Sequence, residues 1–167
     1  IKQLETYQVK IPLKKPFKTA LRTVTEAETI YVKITLEDGT VGFGEAPPTL
    51  VITGDSLNSI KYCIEEVFKP IVIGKSIKNI HRLLESIHRS IVRNTSAKAA
   101  IDMALFDCLS RVANLPLYQL LGGYRSEIET DYTVSVNDPI EMANDAKDYI
   151  DQGFSILKVK VGKDEIE

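Results

Sequence analysis

Alternating polar and apolar positions mark the first part of the chain. The stretches LETYQVKIPL and ETIYVKITLEDG both alternate, which predicts β-strands because successive side chains of a strand point to opposite faces. The stretch TVGFGEA follows Asp38-Gly39 almost directly, so a β-hairpin is predicted there. The segments KKPFKTALRTVTEAE (14–28) and PPTLVITGDS (47–56) are predicted to be long loops, which in compact domains are usually functional or disordered.

Apolar residues at helical spacing follow these segments. Asp55 or Ser56 is predicted to cap a first helix that ends before Pro70. A short helical turn near the end of this region stops at a Gly-Gly pair. The predicted helices cover 56–69, 80–91, 95–112 and 116–121. Three strands followed by a layer of helices predict an α+β domain over residues 1–125.

A strand, a helix and a second strand are predicted after residue 126. They correspond to EIETDYTVSV, DPIEMANDAKDYIDQG and FSILKVKVG, with Asp138 as the helix cap. The predicted buried face of the helix consists of Met142, Ala143, Ala146 and Ile150. A β-α-β unit implies parallel strands, and one unit cannot bury both faces of its sheet. We therefore expect residues 126–167 to be the start of a larger α/β barrel, cut short as the next helix begins.

Two lysines, Lys158 and Lys160, lie on the same face of the last predicted strand because residues two apart share a face. One interpretation is a solvated lysine face, since lysine is rarely buried. The other is a barrel strand that directs two ammonium groups into an enclosed site. Other candidate motifs are weaker: GFGE resembles part of a dinucleotide fingerprint but falls in a hairpin, and His81 and His88 have the wrong spacing for a common metal-ligand pair.

Composition excludes several classes of protein. Apolar residues make up 44% of the chain and charged residues 26%, with a formal net charge of −2. This balance excludes disorder and gives no electrostatic footprint for nucleic acid or an acidic membrane surface. No apolar run approaches the ~18 residues of a membrane-spanning helix. Cys63 and Cys108 are predicted to be buried free thiols, which favours a cytoplasmic protein.

Several of these stretches together resemble the enolase superfamily, muconate-lactonizing subgroup. The carriers are KPFKTALRTVTEAE, GFGEAPPTLVITGDS, NTSAKAAIDMALFDCL, LPLYQLLGGYR, ETDYTVSVN and LKVKVGK. The K-x-K pair is typical of the whole subgroup, and the PFKTALRT and DYTVSV stretches narrow the resemblance to the dipeptide (L-Ala-D/L-Glu) epimerases. The resemblance implies a capping domain followed by the start of a modified (β/α)7β barrel of the TIM type, with two loops that close over the substrate.

The resemblance also assigns roles to individual residues. Lys160 is implied to be the base that removes the α-proton of one substrate epimer, and Lys158 to lie beside the substrate carboxylate. The neighbouring ammonium group and partial desolvation would favour the neutral amine that a base requires. Thr133 and Val159 are implied to contact the bound dipeptide, and Arg22 to pair with its glutamyl carboxylate, a role that suits a planar bidentate donor.

The metal ligands implied by the resemblance, which would hold Mg²⁺, are expected beyond Glu167, together with a second lysine base. The 167-residue chain alone is therefore expected to be inactive. We expect the complete protein to be an isomerase that transfers a proton at the α-carbon of a dipeptide, and to form a homo-oligomer. The alternatives are a muconate-type cycloisomerase, an o-succinylbenzoate synthase, or a non-catalytic binding or folding module.

Overall fold

The first three strands form one antiparallel sheet in a computed structural model that describes residues 1–162. The strands are β1 (Gln3–Lys18), β2 (Thr23–Thr35) and β3 (Val41–Ala46), in the order β1-β2-β3. The register of β2 and β3 runs from Ile30 opposite Ala46 to Thr35 opposite Val41. The predicted hairpin turn between β2 and β3 is present, with Gly39 at φ 87°, a conformation that glycine adopts without strain.

The prediction of a long loop over residues 14–28 is wrong. β1 continues to Lys18 and β2 begins at Thr23, so only a tight turn separates the two strands. Most side chains of this hairpin tip are exposed or half-buried on both faces. Because neither face enters a core, no apolar alternation reveals the strands. The second predicted loop, between Ala46 and Leu57, contains turns and no regular element.

The helical layer contains five α-helices within the described residues that precede β4. They are α1 (Leu57–Tyr62), α2 (Lys69–Val72), α3 (Ile80–Ser90), α4 (Thr95–Val112) and α5 (Leu117–Leu120), with a π-helical segment (Cys63–Phe68) and a 3-10 turn (Ile77–Asn79). Ser56, rather than Asp55, caps α1 through a capping box with Ser59. The helical run that begins at α1 does not end before Pro70 as predicted, because the π-helical segment leads directly into α2 and Pro70 lies in the first turn of α2.

Chain contacts divide the protein into two compact units, residues 1–10 with 28–124, and residues 11–27 with the residues from 125 onward. The first unit holds a core in which Phe68, Ile64 and Leu105 are fully buried. Its α4 packs directly on β3, where a Cβ atom on Gly44 would overlap the carbonyl oxygen of Ala100. The glycines of the GFGE stretch therefore permit close helix–strand packing.

The second unit contains the predicted β-α-β unit as β4 (Asp131–Val134), α6 (Pro139–Asp151) and β5 (Ile156–Val159), with both strands parallel. The predicted cap is confirmed, since the Asp138 side chain accepts a hydrogen bond from the Ile140 N–H. The predicted buried face of α6 is wrong, because Ile150 is 58% exposed. Tyr149 packs instead, with its ring centroid 4.2 Å from that of Tyr132.

The strands of this unit are shorter than the sequence pattern predicts, and the next predicted helix lies outside the described residues. Within residues 1–162, no helix combines the length and hydrophobicity needed to cross a lipid bilayer.

Candidate active site

A cleft of about 980 Å³ lies within the second unit, between the tip of the β1–β2 hairpin and the β4–α6 segment. Its lining residues include Lys15, Lys18, Arg22, Thr133, Ser135 and Asn137. The cleft therefore brings together Arg22 and Thr133, two residues that the sequence analysis connected with substrate binding. Its volume is in the range of small-molecule sites.

Three hydrogen bonds of Lys18 hold the hairpin tip against the segment that follows β4. Its backbone N–H donates to the Ser135 hydroxyl at 3.4 Å, and its carbonyl accepts from the Val136 N–H at 3.3 Å. Its ammonium group donates to Asn137 Oδ1 at 3.1 Å. The three residues that follow β4, residues 135–137, are thus all bonded to one residue of the hairpin.

An ion pair adds a second connection between the hairpin and the β4–α6 segment. The Lys15 ammonium lies 2.7 Å from Asp145 Oδ1 on α6. The Asp145 carboxylate raises the pKa of Lys15, first through their hydrogen bond and then through its charge. Lys15 is largely exposed, so solvent screens this pair and we assign it little stabilisation by itself.

Arg22 closes the tight turn at the tip of the hairpin. The Thr19 N–H donates to the Arg22 carbonyl at 2.9 Å, and the Thr19 hydroxyl accepts from the Arg22 N–H at 3.2 Å. The Arg22 side chain is exposed. Its backbone is therefore fixed while its guanidinium group is available to a ligand in the cleft.

The two lysines of β5 are connected to the cleft through the sheet register. Thr133 lies opposite Lys158, and the Lys160 N–H donates to the Val134 carbonyl at 3.1 Å. Side chains of paired residues in a parallel sheet point to the same face, which places both lysines on the face of Thr133. Lys160 follows the last residue of β5, at the carboxyl end of the strand, where barrel enzymes hold their active sites.

The lysines are not among the residues that line the cleft. Lys158 is exposed and Lys160 half-buried within the part of the chain that the structure describes. The catalytic role of Lys158 and Lys160 therefore stays a prediction, with a solvated lysine face as its alternative. The roles assigned to Arg22, Thr133 and Val159 stay predictions too.

Sequence reasoning did not identify the residues that anchor the hairpin, Lys18, Ser135 and Asn137. One signal was available for Ser135, because it lies two residues after Thr133 and must share its face. No comparable signal marks Lys18, whose role depends on a hairpin that the sequence pattern did not reveal.

The described residues do not fit a metal site. Residues 1–162 contain no group of three or more His, Cys, Asp or Glu side chains that could hold a metal ion. Of the acids at the cleft, Asp145 is already engaged with Lys15. We therefore derive no step through a metal from these residues.

Comparison with known proteins identifies the family. Residues 1–122 match the N-terminal domain of the mandelate racemase / muconate lactonizing enzyme family. The chain belongs to this family. The predicted resemblance to the enolase superfamily is thereby confirmed, and so is the predicted fold, a three-stranded antiparallel sheet with helices. The matched residues comprise nearly all of the first compact unit and also the hairpin tip at 11–27, which belongs to the second unit.

Relatives within the family include enzymes that act on dipeptides. The L-Ala-D/L-Glu epimerase of Bacillus subtilis is 57% identical over 98% of this chain, which spans 45% of that protein. A structure of the same Bacillus subtilis enzyme with substrate bound has a TM-score of 0.97, over 99% of this chain and 46% of that one. A dipeptide epimerase from Enterococcus faecalis, complexed with Mg and L-Leu-L-Tyr, is 40% identical with a TM-score of 0.93, over 96% of this chain and 45% of that one. The chain thus spans about half the length of the relatives that it matches.

Proposed function

We propose that the full-length gene product is a dipeptide epimerase of the L-Ala-D/L-Glu type. The observation that carries the proposal is the 57% identity to the Bacillus subtilis epimerase over 98% of the chain. The geometry of the second unit supports it, because Arg22 and Thr133 line one cleft and Lys158 is the register partner of Thr133.

Lys160 is the base for one epimer in this proposal. Its neutral amine removes the α-proton of the dipeptide, and the electron pair of the broken C–H bond passes into the adjacent carboxylate. Return of a proton to the opposite face of the planar α-carbon yields the other epimer, so no oxidant or other co-reactant is consumed. The second base that this requires lies outside the described residues.

Lys158 stabilises the negative charge that develops on the substrate carboxylate when the α-proton leaves. Its ammonium group shares a sheet face with Lys160, two residues away along β5. A fixed positive charge at this point lowers the energy of the transition state more than that of the ground state, because the charge grows during the step. Thr133 donates a hydrogen bond to the bound dipeptide from the neighbouring strand. Val159 contacts the dipeptide from β5.

Arg22 recognises the second residue of the dipeptide. A guanidinium group can bind a carboxylate through two parallel hydrogen bonds, so it favours a glutamyl side chain over an uncharged one. The tight turn holds the Arg22 backbone in place at the cleft. Fixing the donor before binding reduces the entropy that is lost when substrate binds.

A requirement for Mg²⁺ is part of the proposal, on the ground that the Enterococcus faecalis relative carries Mg with its dipeptide. A divalent cation would supply charge stabilisation to the carboxylate during proton removal. The described residues supply no ligand set for it, so the roles given above concern only the lysines, Thr133, Val159 and Arg22. The cytoplasmic location and the homo-oligomeric state stay predictions.

The proposal is tested by proton NMR of the full-length gene product with Mg²⁺ in D₂O. We expect loss of the α-proton signal of the second residue of L-Ala-L-Glu and the appearance of the L-Ala-D-Glu diastereomer. Turnover of cis,cis-muconate or of an o-succinylbenzoate precursor, with no exchange in dipeptides, would instead show one of the alternative family activities. No turnover of any of these substrates would favour the non-catalytic module.

A further inference from the structure

We propose that Lys18 is a positioning residue that sets Arg22 at the cleft and thereby determines selectivity for an acidic second residue. This inference rests on the proposed function, since selectivity is defined on its substrates. Lys18 itself is not assigned a contact with substrate. Its three polar groups are engaged with residues 135–137, at the end of the strand that carries Thr133.

The connection from Lys18 to Arg22 is short and continuous. Lys18 precedes Thr19, whose N–H and hydroxyl fix both the carbonyl and the N–H of Arg22. The hairpin has no apolar core of its own at this tip, where most side chains are exposed or half-buried. Hydrogen bonds to the β4 end therefore add a restraint to the turn beyond the β1–β2 pairing and the bonds between Thr19 and Arg22.

The same residues connect this turn to the β4–β5 face. Ser135, which accepts from the Lys18 N–H, lies two residues from Thr133, and Thr133 is paired with Lys158. Ser135 and Thr133 both line the cleft, so the anchor of the hairpin and this proposed substrate contact lie on one surface. A shift of Lys18 would move Arg22 relative to Thr133 without changing either side chain.

Hydrogen bonding of the side chain, rather than charge, distinguishes Lys18 from Lys14 in the same hairpin. Lys14 also lines the cleft, but its ammonium group makes no hydrogen bond or ion pair within residues 1–162. Replacement of either lysine by methionine removes one positive charge and keeps a long apolar stem. The Lys14→Met variant is therefore a matched control for the general electrostatic effect of Lys18→Met.

The experiment measures kcat/KM of the full-length gene product for L-Ala-L-Glu and for a dipeptide with an uncharged second residue. We expect Lys18→Met to reduce the ratio of the two values about tenfold, the effect of losing one charge-assisted hydrogen bond. Lys18→Arg should restore much of the ratio, because guanidinium can donate to Asn137. Asn137→Ala should reduce the ratio and add little further loss in the Lys18→Met background. Equal losses on both substrates, or the same change in Lys14→Met, would overturn the proposal.

Amide hydrogen exchange provides a readout that does not depend on activity. Lys18→Met should accelerate exchange of two amide protons: that of Arg22, which is bonded to the Thr19 hydroxyl, and that of Val136, which is bonded to the Lys18 carbonyl. Lys14→Met should leave both exchange rates unchanged. Unchanged exchange in Lys18→Met would contradict the positioning role even in an active enzyme. If the wild-type protein has no epimerase activity, the proposed function fails and the selectivity role fails with it. The exchange result then still decides whether Lys18 holds the hairpin.

Discussion

Replacing Gly44 with alanine tests the close packing of α4 on β3, which the first compact unit is built around. The added Cβ would overlap the Ala100 carbonyl oxygen and lie 2.8 Å from the Ala100 carbonyl carbon and 3.1 Å from the Ala104 nitrogen. All of these are backbone atoms, so no side chain can rotate away to relieve the overlap. Either α4 or β3 must move.

The expected cost follows from how tightly this interface is packed. Ala100 and Ala104 have no exposed surface, so a displacement of the helix loosens contacts along its buried face. Overpacking of a core costs about 1–3 kcal/mol, and rigid backbone on both sides places Gly44 at the upper end. Alanine also restricts the unfolded chain more than glycine does, and this lower entropy of the unfolded state offsets at most about 1 kcal/mol of the destabilisation. We expect a net destabilisation of about 2–3 kcal/mol.

Hydrogen exchange of the α4 amides in the full-length gene product measures this loss locally. A loss of about 2 kcal/mol in opening free energy accelerates exchange about 30-fold. Gly74→Ala is the control, because Gly74 has φ 75° but no atom within 4 Å of an added Cβ, so it introduces backbone strain without a clash. If Gly44→Ala accelerates α4 exchange no more than Gly74→Ala, the packing argument is wrong.

Three further predictions concern the site, a buried thiol and exposed apolar surface. Arg22→Ala should lower kcat/KM for L-Ala-L-Glu about 10- to 100-fold more than for a dipeptide with an uncharged second residue, and equal losses would assign Arg22 to loop closure instead. Burial raises the pKa of the Cys108 thiol from 9.0 to about 11. The unfolded chain therefore loses this proton at a lower pH than the folded protein, and the free energy of unfolding should fall between about pH 9 and pH 11. Cys108→Ala should remove that part of the pH dependence in denaturant titrations; an unchanged pH profile would show that the thiol does not contribute. The 167-residue chain, with Ile128 84% and Ile140 74% exposed, should self-associate in sedimentation experiments, whereas a compact monomer would contradict this.

Most elements of the fold could be predicted from local signals. The capped start of α6 at Asp138 and the hairpin turn at Asp38-Gly39 depend on a few neighbouring residues, and both are present. The hairpin tip and the packing face of α6 were predicted wrongly for a common reason. Both are determined by contacts with distant parts of the second unit, such as the ring of Tyr149 against Tyr132, rather than by an apolar pattern.

The candidate site shows the same division. The common face of Lys158 and Lys160 follows from their spacing alone. The pairing of Lys158 with Thr133 does not, because the register of parallel strands depends on how the connecting helix packs. The anchoring of the hairpin through Lys18 involves two backbone groups, which carry no residue-specific signal in a sequence.

The central claim is that Lys160 is a catalytic base that serves one epimer, and exchange of the α-proton for deuterium tests it most directly. The measurement follows each epimer of the dipeptide separately by NMR, with the Lys160→Ala variant of the full-length gene product and Mg²⁺ in D₂O. We predict that exchange is lost from one epimer and retained in the other, because the second base acts on the opposite face, and that net epimerisation vanishes in both directions. Wild-type exchange from both epimers in Lys160→Ala would contradict the account and show that the lysine face of β5 is only solvated.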